Sequence, residues 1–120
     1  MKKILIVDDE PNIVMTLEYT FKKNNFEVFI ARDGQEALDI VKTVYPDIII
    51  LDIMMPMVDG YATIEQIKSN DKLSNTKIIF LSAKNKESDI EKGISLGADA
   101  YLTKPFSIKK VIEKVTELLK

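Results

Sequence analysis

Cysteine and histidine are both absent from this 120-residue chain. Without cysteine there is no disulfide, no thiolate nucleophile and no thiolate metal site. Without histidine, Ser-His-Asp catalysis, His-ligated zinc and the usual near-neutral pH switch are excluded as well. A dominant charge sign is also missing: 17 Lys and Arg stand against 19 Asp and Glu, a net charge of −2 with both signs spread along the chain. That balance gives no argument for nucleic-acid or bilayer binding by this domain. No apolar run is long enough to span a membrane. The basic-then-apolar start, Met1-Lys2-Lys3-Ile4-Leu5-Ile6-Val7, stops at Asp8 and has no small-residue cleavage site, so it is not a signal peptide. These features place the protein in the cytoplasm. No glycine-rich loop follows the first apolar run, which disfavours a nucleotide-binding Rossmann module. Chemistry is left to carboxylates, lysines, hydroxyls and a borrowed metal.

What is present is an ordinary globular balance, 46% hydrophobic and 30% charged, at a length that suits one domain over residues 1–120. Short apolar runs read as strands at Ile4–Val7, Val28–Ala31, 48–51, 78–81 and 100–102. Between them the spacing predicts helices. The first starts at Pro11, with an acidic residue before it as cap, and carries Ile13, Val14, Leu17 and Phe21 as far as Asn24-Asn25. The second carries Ala37, Leu38, Val41 and Val44 or Tyr45, and ends at Pro46. The third, weaker in pattern, shows Ile64 and Ile67 after the turn Val58-Asp59-Gly60. Residues 70–76 read as a polar, exposed connection. The fourth helix shows Ile90 and Ile94 and is stopped by Gly97; the fifth runs from a Ser107 cap through Ile108, Val111, Ile112, Val115, Leu118 and Leu119. Five strand–helix repeats with near-continuous apolar strands predict a parallel sheet covered on both faces, and the chain is too short for an eight-fold barrel. The expected fold is an open, doubly wound α/β sheet.

In a parallel sheet all strand C-terminal ends lie on one edge, where open α/β sheets bind ligands. Asp8-Asp9, Asp52, Ser82 and Lys104 all fall at or just past strand ends, so residues more than 90 positions apart are expected in one cleft. Singly, each has a structural explanation: a capping pair, a turn residue, a second cap, a solvated loop charge. Jointly they are complementary. Clustered carboxylates repel and call for a proton or a cation. Hard oxygen donors without His or Cys point to Mg²⁺, with Mn²⁺ as a substitute. Ammonium and hydroxyl around one free carboxylate suit phosphoryl transfer to Asp52. Met54, Met55 and Met57 read as loop packing.

The chain resembles the receiver domain of bacterial response regulators, on Ile4-Leu5-Ile6-Val7-Asp8-Asp9-Glu10, Asp52-Ile53-Met54-Met55-Pro56, Asp59-Gly60 and Gly97 through Phe106. The resemblance implies a flavodoxin-like (CheY-like) (βα)5 fold with five parallel strands in the order 2-1-3-4-5. It implies Asp52 as the phosphoacceptor for a sensor histidine kinase or phosphotransfer protein. Asp9, Asp52 and the Met54 backbone carbonyl would hold Mg²⁺, with Asp8 acting through a metal-bound water. Ser82 and Lys104 would hold the phosphoryl oxygens, Ser82 and Tyr101 would act as the switch pair, and Lys104-Pro105 would be a cis peptide. Met54 and Lys84 occupy the positions that tune phosphorylation lifetime. The output would be a downstream protein engaged by the surface of the fourth helix, fifth strand and fifth helix, with no direct nucleic-acid or membrane contact.

Regulators of the OmpR type dimerise through that surface by fixed charge pairs, which Asp99-Ala100-Tyr101, Ile90 and Lys110 do not reproduce here. A single-domain regulator, monomeric or weakly dimeric on phosphorylation, is the expectation, with the receiver portion of a longer DNA-binding or enzymatic regulator as the alternative. A competing reading is an Asp-nucleophile phosphohydrolase of the haloacid-dehalogenase type. Such enzymes place a second Asp two residues after the nucleophile; here Met54 follows Asp52 at that spacing and Glu10 follows Asp8. A domain that only promotes its own phosphorylation and dephosphorylation is the expectation.

Overall fold

The computed structural model describes residues 1–55 and 58–120. Pro56 and Met57, read above as part of the loop after the third strand, lie outside the described residues. The elements in chain order are β1 (Lys2–Val7), α1 (Pro11–Lys23), β2 (Phe26–Ala31), α2 (Gly34–Val41), β3 (Ile48–Leu51), α3 (Gly60–Lys68), a short 3-10 helix (Asp71–Leu73), β4 (Lys77–Ser82), α4 (Glu87–Ser95), β5 (Ala100–Thr103) and α5 (Ile108–Leu118). All strands are parallel, in the order β2-β1-β3-β4-β5. This is the open, doubly wound sheet expected from the alternation, with the strand order that the resemblance implied.

Side chains alternate across a strand, and the two cores follow from that. Ile4, Ile6, Ile48, Ile50, Ile79 and Leu81 face Leu17 and Phe21 of α1 and Val111 and Val115 of α5. Leu5, Val7, Ile49, Leu51, Ile78 and Phe80 face Ala37, Leu38 and Val41 of α2 and Ile64 and Ile67 of α3. The three central strands are buried on both faces, which is why they read as unbroken apolar runs. The edge strands β2 and β5 are only partly covered.

Three local expectations are corrected. The second helix stops at Val41, so Val44 and Tyr45 leave its stripe; Tyr45 is exposed and holds a φ of 44°. The 70–76 connection is not wholly exposed. Its 3-10 helix buries Leu73, and buried Thr76 donates its hydroxyl to the Pro46 carbonyl at 2.8 Å. In α4 the predicted stripe is shallow: Ile94 is 46% exposed and the one fully buried residue is Gly93. Gly97 does end α4, with a φ of 111° that only glycine adopts without strain.

Candidate functional site

Register sets the site. Val7 pairs with Leu51 across β1 and β3, so Asp8 and Asp52 leave the sheet side by side. Backbone bonds fix both departures: Asp8 N–H donates to Ala31 O at 3.1 Å and Asp52 N–H to Val7 O at 3.0 Å. This is the point where successive connections turn to opposite sides of the sheet, the usual ligand crevice of such folds. α3 begins hard against it. Gly60 N–H donates to Ile53 O at 3.0 Å, and a Cβ at position 60 would come within 2.5 Å of the Asp52 carbonyl oxygen, so only glycine fits.

Lys104, at the end of β5, reaches back across the sheet edge. Its ammonium donates to Asp8 Oδ2 at 2.9 Å, Glu10 Oε1 at 2.9 Å and Asp52 Oδ2 at 3.2 Å. The side chains of Asp8 and Asp52 are almost wholly buried, while that of Glu10 is open to solvent. The outer oxygens are held too: Asp8 Oδ1 accepts from Glu10 N–H at 2.9 Å and Asp52 Oδ1 from Met54 N–H at 3.2 Å. Burial pushes the Asp8 carboxyl above its ordinary range, against the opposing pull of the Glu10 amide and Lys104. Burial acts to lower the Lys104 ammonium, yet the carboxylates of Glu10, Asp8 and Asp52 carry it above the ordinary lysine value. Lys104-Pro105 is a cis peptide.

Ser82 is buried at the end of β4, paired in register with Thr103, and its carbonyl accepts from Lys104 N–H at 2.9 Å. Its hydroxyl accepts from Lys84 N–H at 3.3 Å. Tyr101 donates its hydroxyl to Lys84 O at 2.6 Å, and burial pushes its phenol up to about 12. Phe80 lies between Tyr101 and Tyr61, at ring separations of 5.9 and 5.8 Å. Beside Asp52 opens a cavity of about 520 Å³, lined by Ile53, Met54, Met55, Tyr61, Lys84 and Lys92 among others. A second, about 480 Å³, lies between α4, β5 and α5 and includes Ile90, Tyr101, Phe106 and Lys110.

The structure thus brings together Asp8, Asp52 and Lys104 and sets Ser82 on the adjoining strand end. Asp9 is exposed and stands apart from the acidic group it was expected to join. Glu10 does lie with the other two: carboxylate oxygens of Asp8, Glu10 and Asp52 are within 4.8 Å of one another. Sequence reading missed Glu10 because a carboxylate just before Pro11 is the ordinary signal for a helix cap. Glu10 is the N-cap of α1, but its side chain makes no capping bond. The donor set fits a small, hard divalent cation: three carboxylates converge, oxygen is the only ligand type, and a single ammonium now balances them.

The sequence profile of the family described as response regulator receiver domain matches residues 4–116. The alkaline phosphatase synthesis transcriptional regulatory protein PhoP of Bacillus subtilis is 42% identical over 119 residues, 99% of this chain and 49% of that protein. The chain therefore spans about half the length of that relative. Among solved structures, chemotaxis protein CheY4 of Vibrio cholerae superposes with a TM-score of 0.93 at 28% identity, covering 99% of both chains. The receiver domain of the Francisella response regulator 1452 superposes with a TM-score of 0.91 at 35% identity, covering 99% of this chain and 97% of that one.

Proposed function

This chain belongs to the response regulator receiver domain family, and from that premise we propose that Asp52 accepts a phosphoryl group from the histidine of a sensor kinase. Membership makes it a signalling domain of a two-component system. The observation that carries the finer reading is the Lys104 ammonium, held 3.2 Å from Asp52 Oδ2 between two buried carboxylates at the ligand edge of the sheet.

Asp52 attacks the phosphorus through a carboxylate oxygen; a P–O bond forms as the P–N bond to the donor histidine breaks, and the released imidazole takes up a proton. Negative charge on the equatorial oxygens rises near Lys104, which is already desolvated and aimed at Asp52. Ser82, one strand over, accepts from Lys84 N–H and keeps its own O–H to donate to another of those oxygens. Asp9, Asp52 and the Met54 carbonyl would hold Mg²⁺ or Mn²⁺, with Asp8 acting through a metal-bound water. The ion supplies neutralisation of the carboxylates and of the incoming phosphoryl charge. Tyr101, tied to the Lys84 carbonyl, relays the state of Ser82 to the α4–β5–α5 surface. The shallow burial of α4 supports that surface as the movable part and as the place where a downstream protein docks.

Intact-mass analysis after incubation with Mg²⁺ and acetyl phosphate tests the reading. A single phosphoryl adduct, absent in Asp52→Asn and after removal of Mg²⁺, is expected. An adduct that survives both, or steady hydrolysis of a small phosphate ester, overturns it. Met54, 57% exposed over the site, has no side-chain group to orient a water. Met54→Asn should shorten the adduct's lifetime several-fold by the same measurement followed over time.

A further inference from the structure

Glu10 sits at the mouth of the site and uses its carboxylate in an unusual way for a helix N-cap. It makes no bond to the α1 amides and instead accepts a 2.9 Å hydrogen bond from Lys104. The three partners of that ammonium are unequal. The Asp8 and Asp52 side chains are 3% and 4% exposed, and each has its other oxygen fixed by a backbone N–H. The Glu10 side chain is 57% exposed and longer by one methylene, so it can follow a moving partner.

A divalent cation among these carboxylates seeks the Asp8 and Asp52 oxygens that Lys104 now holds, and two positive groups repel at such distances. We propose that Glu10 is a positioning residue for Lys104. When Asp8 and Asp52 turn to a cation, Lys104 releases them but stays bound to Glu10, and so remains beside Asp52 instead of moving into solvent. The proposal rests on the cation-dependent reading above. Glu10 eases cation binding by giving the displaced ammonium a partner, and does so without being a ligand itself.

Mn²⁺ affinity, read by electron paramagnetic resonance of the free ion with no phosphodonor present, tests this through a double-mutant cycle. Lys104→Met should tighten Mn²⁺ on the order of tenfold, since the competing ammonium is gone. Glu10→Gln should weaken it on the order of threefold, the range of an exposed ion pair. In the Lys104→Met background, Glu10→Gln should keep less than half of that effect on a logarithmic scale. Glu10→Asp, which keeps the charge but withdraws the oxygen, should behave like Glu10→Gln. An undiminished loss in the Lys104→Met background would make Glu10 a direct ligand or a plain field charge and overturns the proposal; so does a Glu10→Asp variant that matches wild type. Wild-type protein that binds no Mn²⁺, or binds it unchanged after Asp52→Asn, sinks the site reading and this proposal together. A cycle without coupling overturns the role of Glu10 alone.

Discussion

Four aspartates lie at the two edges of the same sheet and are treated in opposite ways. At the N-terminal edge, Asp47 Oδ2 accepts from Lys3 N–H at 2.7 Å and Asp99 Oδ2 from Ile78 N–H at 2.8 Å. Each also extends the ladder through its own backbone: Asp47 N–H donates to Lys3 O, Lys77 N–H to Asp47 O, and Asp99 N–H to Ile78 O. These carboxylates are spaced apart and tie off strand ends. At the C-terminal edge, Asp8 and Asp52 are buried beside one another with Glu10 close by, and all three rely on one ammonium. Carboxylates at both edges satisfy backbone donors, but only the C-terminal edge concentrates charge beyond what its ammonium balances. Such concentration is expected where a site, not stability, sets the residue choice.

The sharpest break of the comparison is functional. Asn in place of Asp52 should abolish the phosphoryl adduct, whereas Asn at Asp47 or Asp99 should leave its yield unchanged, measured by intact mass. Next comes stability. Asp47→Ala or Asp99→Ala removes a charged acceptor from a strand-end N–H and should lower unfolding free energy by about 1–2 kcal/mol in urea melts. Asp8→Asn should act in the other direction and raise stability by about 1 kcal/mol at pH 7, since it relieves a buried carboxylate crowded by others. The sign follows from linkage. Asp8 has a folded pKa raised above its unfolded value, so the fold favours its protonated form, and wild type gains on the variant as pH falls through that range. The advantage of Asp8→Asn should therefore shrink between pH 7 and pH 4 in thermal melts. The smallest effect is expected for Asp47→Asn, which keeps an acceptor oxygen and should lose no more than about 0.5 kcal/mol relative to wild type.

Much of this was legible from residue order. Runs such as Ile48–Leu51 have no polar position because β3 is covered on both faces, and parallel strands put Asp8, Asp52, Ser82 and Lys104 on one edge before any coordinate is known. The cap signals at Ser107 and Gly97 also stood, because their physics is local: Ser107 Oγ accepts from Lys110 N–H at 3.2 Å, and Gly97 takes the left-handed turn. Other positions were misread because their surroundings come from far along the chain. Thr76 looks like a loop residue until the Pro46 carbonyl, 30 positions away, accepts its hydroxyl, and Leu73 until it joins the core on the α2–α3 side of the sheet. Ile94 has helical spacing but little sheet beneath it, since α4 rests on Phe80 and Tyr101 through Gly93.

By itself, the sequence determined which side of each strand is apolar, where each strand ends and which chemical groups stand at those ends. Those properties depend on a residue and its near neighbours, where hydrophobic period and backbone preference act. The tertiary structure alone decided which carboxylate each donor reaches: Glu10 turning from its helix to Lys104, 94 positions away, while Asp9 beside it faces solvent. Both residues look alike in sequence, and they differ only because the register of β1 on β3 and the reach of β5 set a cation next to one of them.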